Sequence, residues 1–99
     1  MSGLDPVVTI DGAPYRLRVT LGALAALEEA FDADLATLSE RLARPRAADL
    51  LIVLETLIAG GGARVAVETL RASDLDLADA ARAIGAAFAA LEDGGAGGA

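Results

Sequence analysis

The residues of this chain with the most chemical potential are carboxylates and one glycine run: Glu28 with Glu29, Asp74 with Asp76 and Asp79, and Gly60-Gly61-Gly62-Ala63-Arg64. Converging carboxylates can act as acid and base, an aspartate run can ligate calcium, and a glycine loop can cradle phosphate. Each reading fails on spacing. Glu28 and Glu29 are neighbours on a predicted helix and diverge by about 100°, so they do not converge on a substrate and read as a solvated face. Asp74-Leu75-Asp76-Leu77-Ala78-Asp79 lacks the sixth-position glycine and distal bidentate glutamate of a calcium loop. Acidic residues opening a helix, stabilised by its dipole, explain it. The glycine run follows a predicted helix rather than a strand and has no G-K-[ST], so it reads as a helix stop. With no histidine and no cysteine in the chain, the usual zinc ligands, the commonest general base and the thiol nucleophile are all missing. No catalytic, cofactor-binding or metal-binding residue is assigned, and no enzyme activity is expected.

Composition narrows the remaining classes. The 99 residues make one domain with a thin core, and the 55% hydrophobic content is built largely from alanine, with only 3% aromatics. Such a core predicts modest stability unless a partner covers more apolar surface. The net charge is −7, and all 8 cations are arginine. That acidic balance argues against binding a nucleic-acid backbone, which needs a concentrated positive face. No stretch reaches the roughly 18 apolar residues of a membrane span, and Met1 to Asp5 shows no secretory pattern, so a cytoplasmic location is expected.

The elements that would position any site follow from periodicity. Val7 to Ile10 and Ala13 to Val19 alternate around Asp11-Gly12, a dipeptide suited to the positive φ angles of a type I′ turn. A two-residue loop sets Ile10 opposite Ala13, Thr9 opposite Pro14 and Val8 opposite Tyr15. Val8, Ile10, Ala13, Tyr15, Leu17 and Val19 then share the core face, with Val7, Thr9, Arg16 and Arg18 outside. Pro14 falls in a non-hydrogen-bonded pair, so the outer edge of its strand is expected to be free or covered by something other than a closely paired strand. Thr20 can cap a first helix, with a stripe of Leu21, Leu24, Leu27 or Glu28, and Phe31. The hairpin with this helix, Val7 to Phe31, is expected to be the organising unit.

Asp32-Ala33-Asp34 offers a cap for a second helix ending near Ala43, and Arg44-Pro45-Arg46 stops it. A third helix, about Ala47 to Ala59, carries a wide stripe of Leu50, Leu51, Leu54, Leu57 and Ile58. A short fourth helix is predicted over Arg64 to Arg71, and a last one over about Leu75 to Leu91, with cap candidates in Ser73 to Asp76. Leu77, Ala81, Ile84, Phe88 and Leu91 form a narrow seam along it, interrupted by Gly85. The fold class is thus α+β, mostly α: an N-terminal β-hairpin packed against four or five short helices. Residues 1–92 would form a single domain and 93–99 a disordered Gly/Ala tail.

Two features remain as surfaces. Arg41, Arg44 and Arg46 form the basic cluster beside Pro45, read either as helix C-terminal cations or as a contact for an acidic partner. Several helices cannot each bury a full stripe on one small hairpin, so one stripe is expected to serve a partner helix or a second copy. The candidates are Leu50, Leu54, Leu57 and Ile58 on the third helix, or Ile84, Phe88 and Leu91 on the last.

Ile10 to Glu28, I-D-G-A-P-Y-R-L-R-V-T-L-G-A-L-A-A-L-E, resembles a group of small proteins of bacterial gene transfer agents and related tailed phages. These are known as tail assembly chaperones and are also described as tail tube proteins. The matching residues are Asp11, Gly12, Tyr15, Leu17 and Arg18, then Thr20, Ala23, Leu24, Leu27 and Glu28, then Asp49 and the Leu50 to Gly60 helix. Coverage runs to about Leu91, and Val67 to Ala83 matches less clearly. The resemblance implies a non-enzymatic morphogenesis factor that binds helices of the tape-measure protein in the producing cell and helps the tail tube protein assemble. Such a factor would be absent from the mature particle. A structural tail component, tube subunit or adaptor, is the alternative.

Overall fold

A computed structural model describes residues 5–97, with the side chains of Ser39 and residues 91–97 outside that description. It is mostly helical, with one N-terminal sheet: β1 (Val7–Ile10), β2 (Ala13–Arg16), α1 (Leu21–Phe31), α2 (Leu35–Ala43), α3 (Ala47–Gly60), α4 (Val67–Ala72) and α5 (Leu77–Gly97). This is the α+β architecture expected from the sequence.

The hairpin follows its turn chemistry. Asp11 and Gly12 both take positive φ, 52° and 81°, and the pairs are Ile10 with Ala13, Thr9 with Pro14, Val8 with Tyr15 and Val7 with Arg16. Val8, Ile10 and Leu17 are buried, and Val7, Thr9, Arg16 and Arg18 face solvent. The second strand stops at Arg16 rather than Val19. Its last bond, Leu17 N–H to the Pro6 carbonyl (2.9 Å), meets a proline that has no N–H to return. One residue later the Arg18 N–H donates instead to the Leu57 carbonyl at the end of α3, at 3.1 Å. The outer edge of β2 is therefore covered by a helix terminus, in keeping with the demand made by Pro14.

Packing centres on α3, which touches α1, α4, α5 and β2, while the Val7 to Phe31 unit reaches α2, α3 and α5. Leu50, Val53, Leu54, Leu57 and Ile58 are all buried on it. In α1 the buried positions are Ala23, Leu27 and Phe31. Leu21 lies across the helix from that stripe and is 85% exposed, which corrects the stripe drawn through it. Thr20 Oγ1 accepts from the Ala23 N–H at 3.0 Å, so Thr20→Ala is expected to cost about 1 kcal/mol in a urea melt.

Asp34 caps α2 by accepting from the Thr37 N–H at 2.9 Å. That backbone bond, followed by the Thr37 hydroxyl, holds the carboxyl below its ordinary value of 3.8. The charged form is favoured in the folded state, so this contribution is full above pH 3.8 and is lost as pH falls through the lowered folded value. Asp34→Asn is expected to flatten that segment of the acid-unfolding profile, measured by circular dichroism against pH.

α4 begins at Val67, since Val65 lies outside the helix and Ala66, its cap, is extended. Asp76 Oδ1 accepts from the Ala78 N–H at 2.9 Å and opens α5. The backbone of α5 runs helical to Gly97. The expected boundary between a domain ending at residue 92 and a Gly/Ala tail falls where side chains are not described, and residues 98 and 99 lie outside the described chain.

Candidate partner-binding site

Of the carboxylates that suggest chemistry, the aspartates lie in structural contacts and the glutamates face solvent. The Asp74 N–H donates to Asp11 Oδ1 at 2.6 Å and the Asp11 N–H to the Asp74 carbonyl at 3.1 Å, which pins the hairpin turn to the start of α5. Asp79 pairs with Arg82 at 2.7 Å, and Glu28 and Glu29 are exposed on α1. Among the described residues no three acidic side chains are grouped to hold a metal ion, and no helix is long and apolar enough to cross a membrane.

The predicted partner-binding residues divide into two sets. Leu54, Leu57 and Ile58 are fully buried in the core that α3 makes with its neighbours. Burial withdraws them from the surface: a charge at Leu54 would disrupt folding before it could report on a partner. Leu50, Ile84 and Phe88 are brought together instead. They line an apolar groove of about 290 Å³ between α2 and α5, with Leu35, Leu38, Leu42 and Pro45 on the α2 side and Ala81 and Gly85 on the α5 side. The side chain of Leu91, one turn beyond Phe88, lies outside the described residues.

This groove exists because α5 has two apolar faces. Ala80, Ala83 and Ala87, with Ile84, are its buried face, and the helix packs on α3 and β1. Small side chains let the two helix axes approach closely. The seam of larger residues, Ala81, Ile84 and Phe88, is rotated by about one residue from that face and looks toward α2. Leu77, at the head of the seam, is 43% exposed. On the other wall, α2 rests on α1 and makes no extensive contact with α5, leaving the trough between them unfilled. Leu35 at its lip is 45% exposed.

One polar contact ties α2 to α3. Asp49, the buried charged side chain of the described core, faces Arg41 Nη2 at 3.4 Å, and its other oxygen accepts from the Arg46 N–H at 3.4 Å. The Arg41 guanidinium also lies 4.9 Å from the centre of the Phe31 ring, so a single arginine joins α1, α2 and α3. Because Asp49 is buried while Arg41 is partly solvated, the two deletions are not equivalent. Arg41→Ala leaves a buried carboxylate with the Arg46 N–H but no counter-charge and is expected to cost about 1–2 kcal/mol. Asp49→Asn frees an arginine that can turn to water and is expected to cost about half as much in the same urea melts. The sequence pattern missed this pair, because an eight-residue separation across a proline turn has no helical or strand periodicity.

A wider, shallower depression of about 550 Å³ lies beside α1 and the start of α4, lined mainly by small residues such as Gly22, Ala26 and Ala59, with Glu55 and Arg64. Of its other polar lining residues, Thr20 caps α1 and the Thr56 hydroxyl donates to the Ile52 carbonyl.

The chain thus presents a helical domain with one short hairpin, a buried core on α3 and an open apolar trough. Neither a curated relative nor a solved structure matches it. A family model described as "Phage tail tube protein, GTA-gp10" matches residues 6–97, covering the hairpin, every helix and the groove, and the chain belongs to that family of phage-tail-related proteins.

Proposed function

We infer that the protein is a non-enzymatic tail assembly chaperone of a phage-like particle. In this reading it acts in the cytoplasm of the producing cell, holds an apolar helical stretch of the tape-measure protein in the α2/α5 groove, hands it to the tail tube protein, and stays out of the finished particle. Family membership supports the tail-related role. The observation that favours a chaperone over a tube subunit is the sheet. A tube ring closed through sheet edges needs strands with free edges. The described residues hold one two-stranded sheet, short for closing a ring, and the chain leaving β2 is bonded at Arg18 to the end of α3.

The second reading, a tube subunit or adaptor retained in the particle, is favoured by the family description, which names a tail tube protein. Self-association through the same groove would belong to that reading.

Co-expression with the tape-measure protein tests the groove assignment. Leu35→Glu and Phe88→Glu place charge on surface the free protein already exposes in part, so the fold should persist by circular dichroism. The tape-measure protein should then shift from the soluble fraction to the pellet. Unchanged solubility with folded variants would remove the groove from the binding role.

A further inference from the structure

Two features at the groove have no use within the chain. The first is Gly85, in the middle of α5. Glycine there is unfavourable for a helix, and a Cβ added to it would meet nothing within 4 Å. Packing inside the molecule therefore does not require it, unlike Gly60 and Gly61, which abut backbone. What the missing side chain does is open the α5 wall of the groove to close approach by another backbone. The second feature is the pair Arg44 and Arg46. Their neighbours Ala43 and Pro45 line the groove, so the backbone of both arginines passes one end of it. Both are exposed, and neither has an ion-pair partner among the described residues. On a chain of net charge −7, two exposed cations without an ion pair near one end of an apolar trough make a local positive field.

We propose that the α2/α5 groove receives an amphipathic helix of a partner protein that crosses α5 at Gly85, seats a short aliphatic stripe against Leu50, Ile84 and Phe88, and carries carboxylates that meet Arg44 and Arg46. This rests on the chaperone reading for the existence of a helical client, and adds the client's chemistry: apolar on one face and acidic at one end. The aliphatic stripe supplies affinity through burial, and the carboxylates set the direction in which the helix lies.

The absence of cysteine permits a single-site test. The full chain carrying Ala43→Cys at the groove mouth is labelled with a maleimide benzophenone, exposed to producing-cell lysate and irradiated. The cross-linked peptide is then sequenced by mass spectrometry. The expected product is a peptide from another protein with helical aliphatic spacing and Asp or Glu within one turn of that stripe. Arg44→Glu with Arg46→Glu should reduce the adduct roughly tenfold, and Gly85→Leu should abolish it. Both variants should melt no lower than the parent, so that loss of adduct is not loss of fold. A peptide from the tape-measure protein supports both this inference and the chaperone reading. An acidic amphipathic helix from another protein supports the inference and overturns the tape-measure assignment. A peptide lacking acidic residues, a peptide from a second copy of this chain, an adduct unaffected by folded variants, or no adduct overturns the inference.

Discussion

Leu57→Ala is expected to destabilise the domain by about 2–5 kcal/mol, the range for removing a fully buried leucine from a packed core. Leu57 has no exposed surface, sits on the helix that touches most other elements, and its own carbonyl accepts the Arg18 N–H that seals the edge of β2. Small domains have only about 5–15 kcal/mol in total, so the variant should populate the unfolded state measurably at physiological temperature. Leu21→Ala, at the exposed start of α1, is the matching control and should change stability by less than about 0.5 kcal/mol. Urea denaturation followed by far-UV circular dichroism reads both. A loss below about 1 kcal/mol at Leu57 would mean that α3 is not the hub.

The second large effect has the opposite sign from helix propensity. Replacing a helical glycine by alanine ordinarily gains up to about 1 kcal/mol, and that gain is expected at Gly85, where a Cβ meets open space. At the end of α3 it reverses. A Cβ on Gly60 would overlap the Arg18 carbonyl, and one on Gly61 would overlap the Arg16 carbonyl. Both obstacles are backbone and cannot rotate away, so the helix end must lift off β2 and release the Arg18 to Leu57 bond. Gly60→Ala and Gly61→Ala are each expected to cost about 1–3 kcal/mol. The Arg16 guanidinium bond to the Gly61 carbonyl, 3.2 Å, would be disturbed by the same displacement. Thermal melts of the three alanine variants should rank Gly85→Ala above the parent and the other two below it. Stabilisation at Gly60 would contradict the close approach of α3 to the hairpin.

The glycine run also illustrates what pattern reasoning can and cannot reach. Three consecutive glycines after an apolar helix signal its end from local physics alone, and α3 does end at Gly60. That two of them must be glycine because another segment's carbonyls lie against them depends on tertiary placement, which periodicity does not encode. The hairpin was legible for the complementary reason. Asp11-Gly12 fixes a turn, the turn fixes register, and register fixes which alternate side chains are inside.

Helix faces were less legible where residue size misled. Reading α5 by its largest side chains located Ala81, Ile84 and Phe88, which line the groove, and overlooked Ala80, Ala83 and Ala87, which are the buried face. In an alanine-rich chain the tightest contact can belong to the smallest residues. For the same reason the partner-binding candidates on α3 mixed core with groove: Leu54, Leu57 and Ile58 are interior, while Leu50 also floors the trough. Arg41 was legible as a cation near a helix end. Its contact with the buried Asp49 was not, since it arises only across the turn at Pro45 that separates α2 from α3.

The most direct test of the chaperone reading is quantitative mass spectrometry of purified particles beside the lysate of the cells that produced them. A protein that delivers the tape-measure protein and departs should be abundant in lysate and absent from particles. Its presence in particles at a fixed stoichiometry to the tube would contradict that reading and establish a structural tail part.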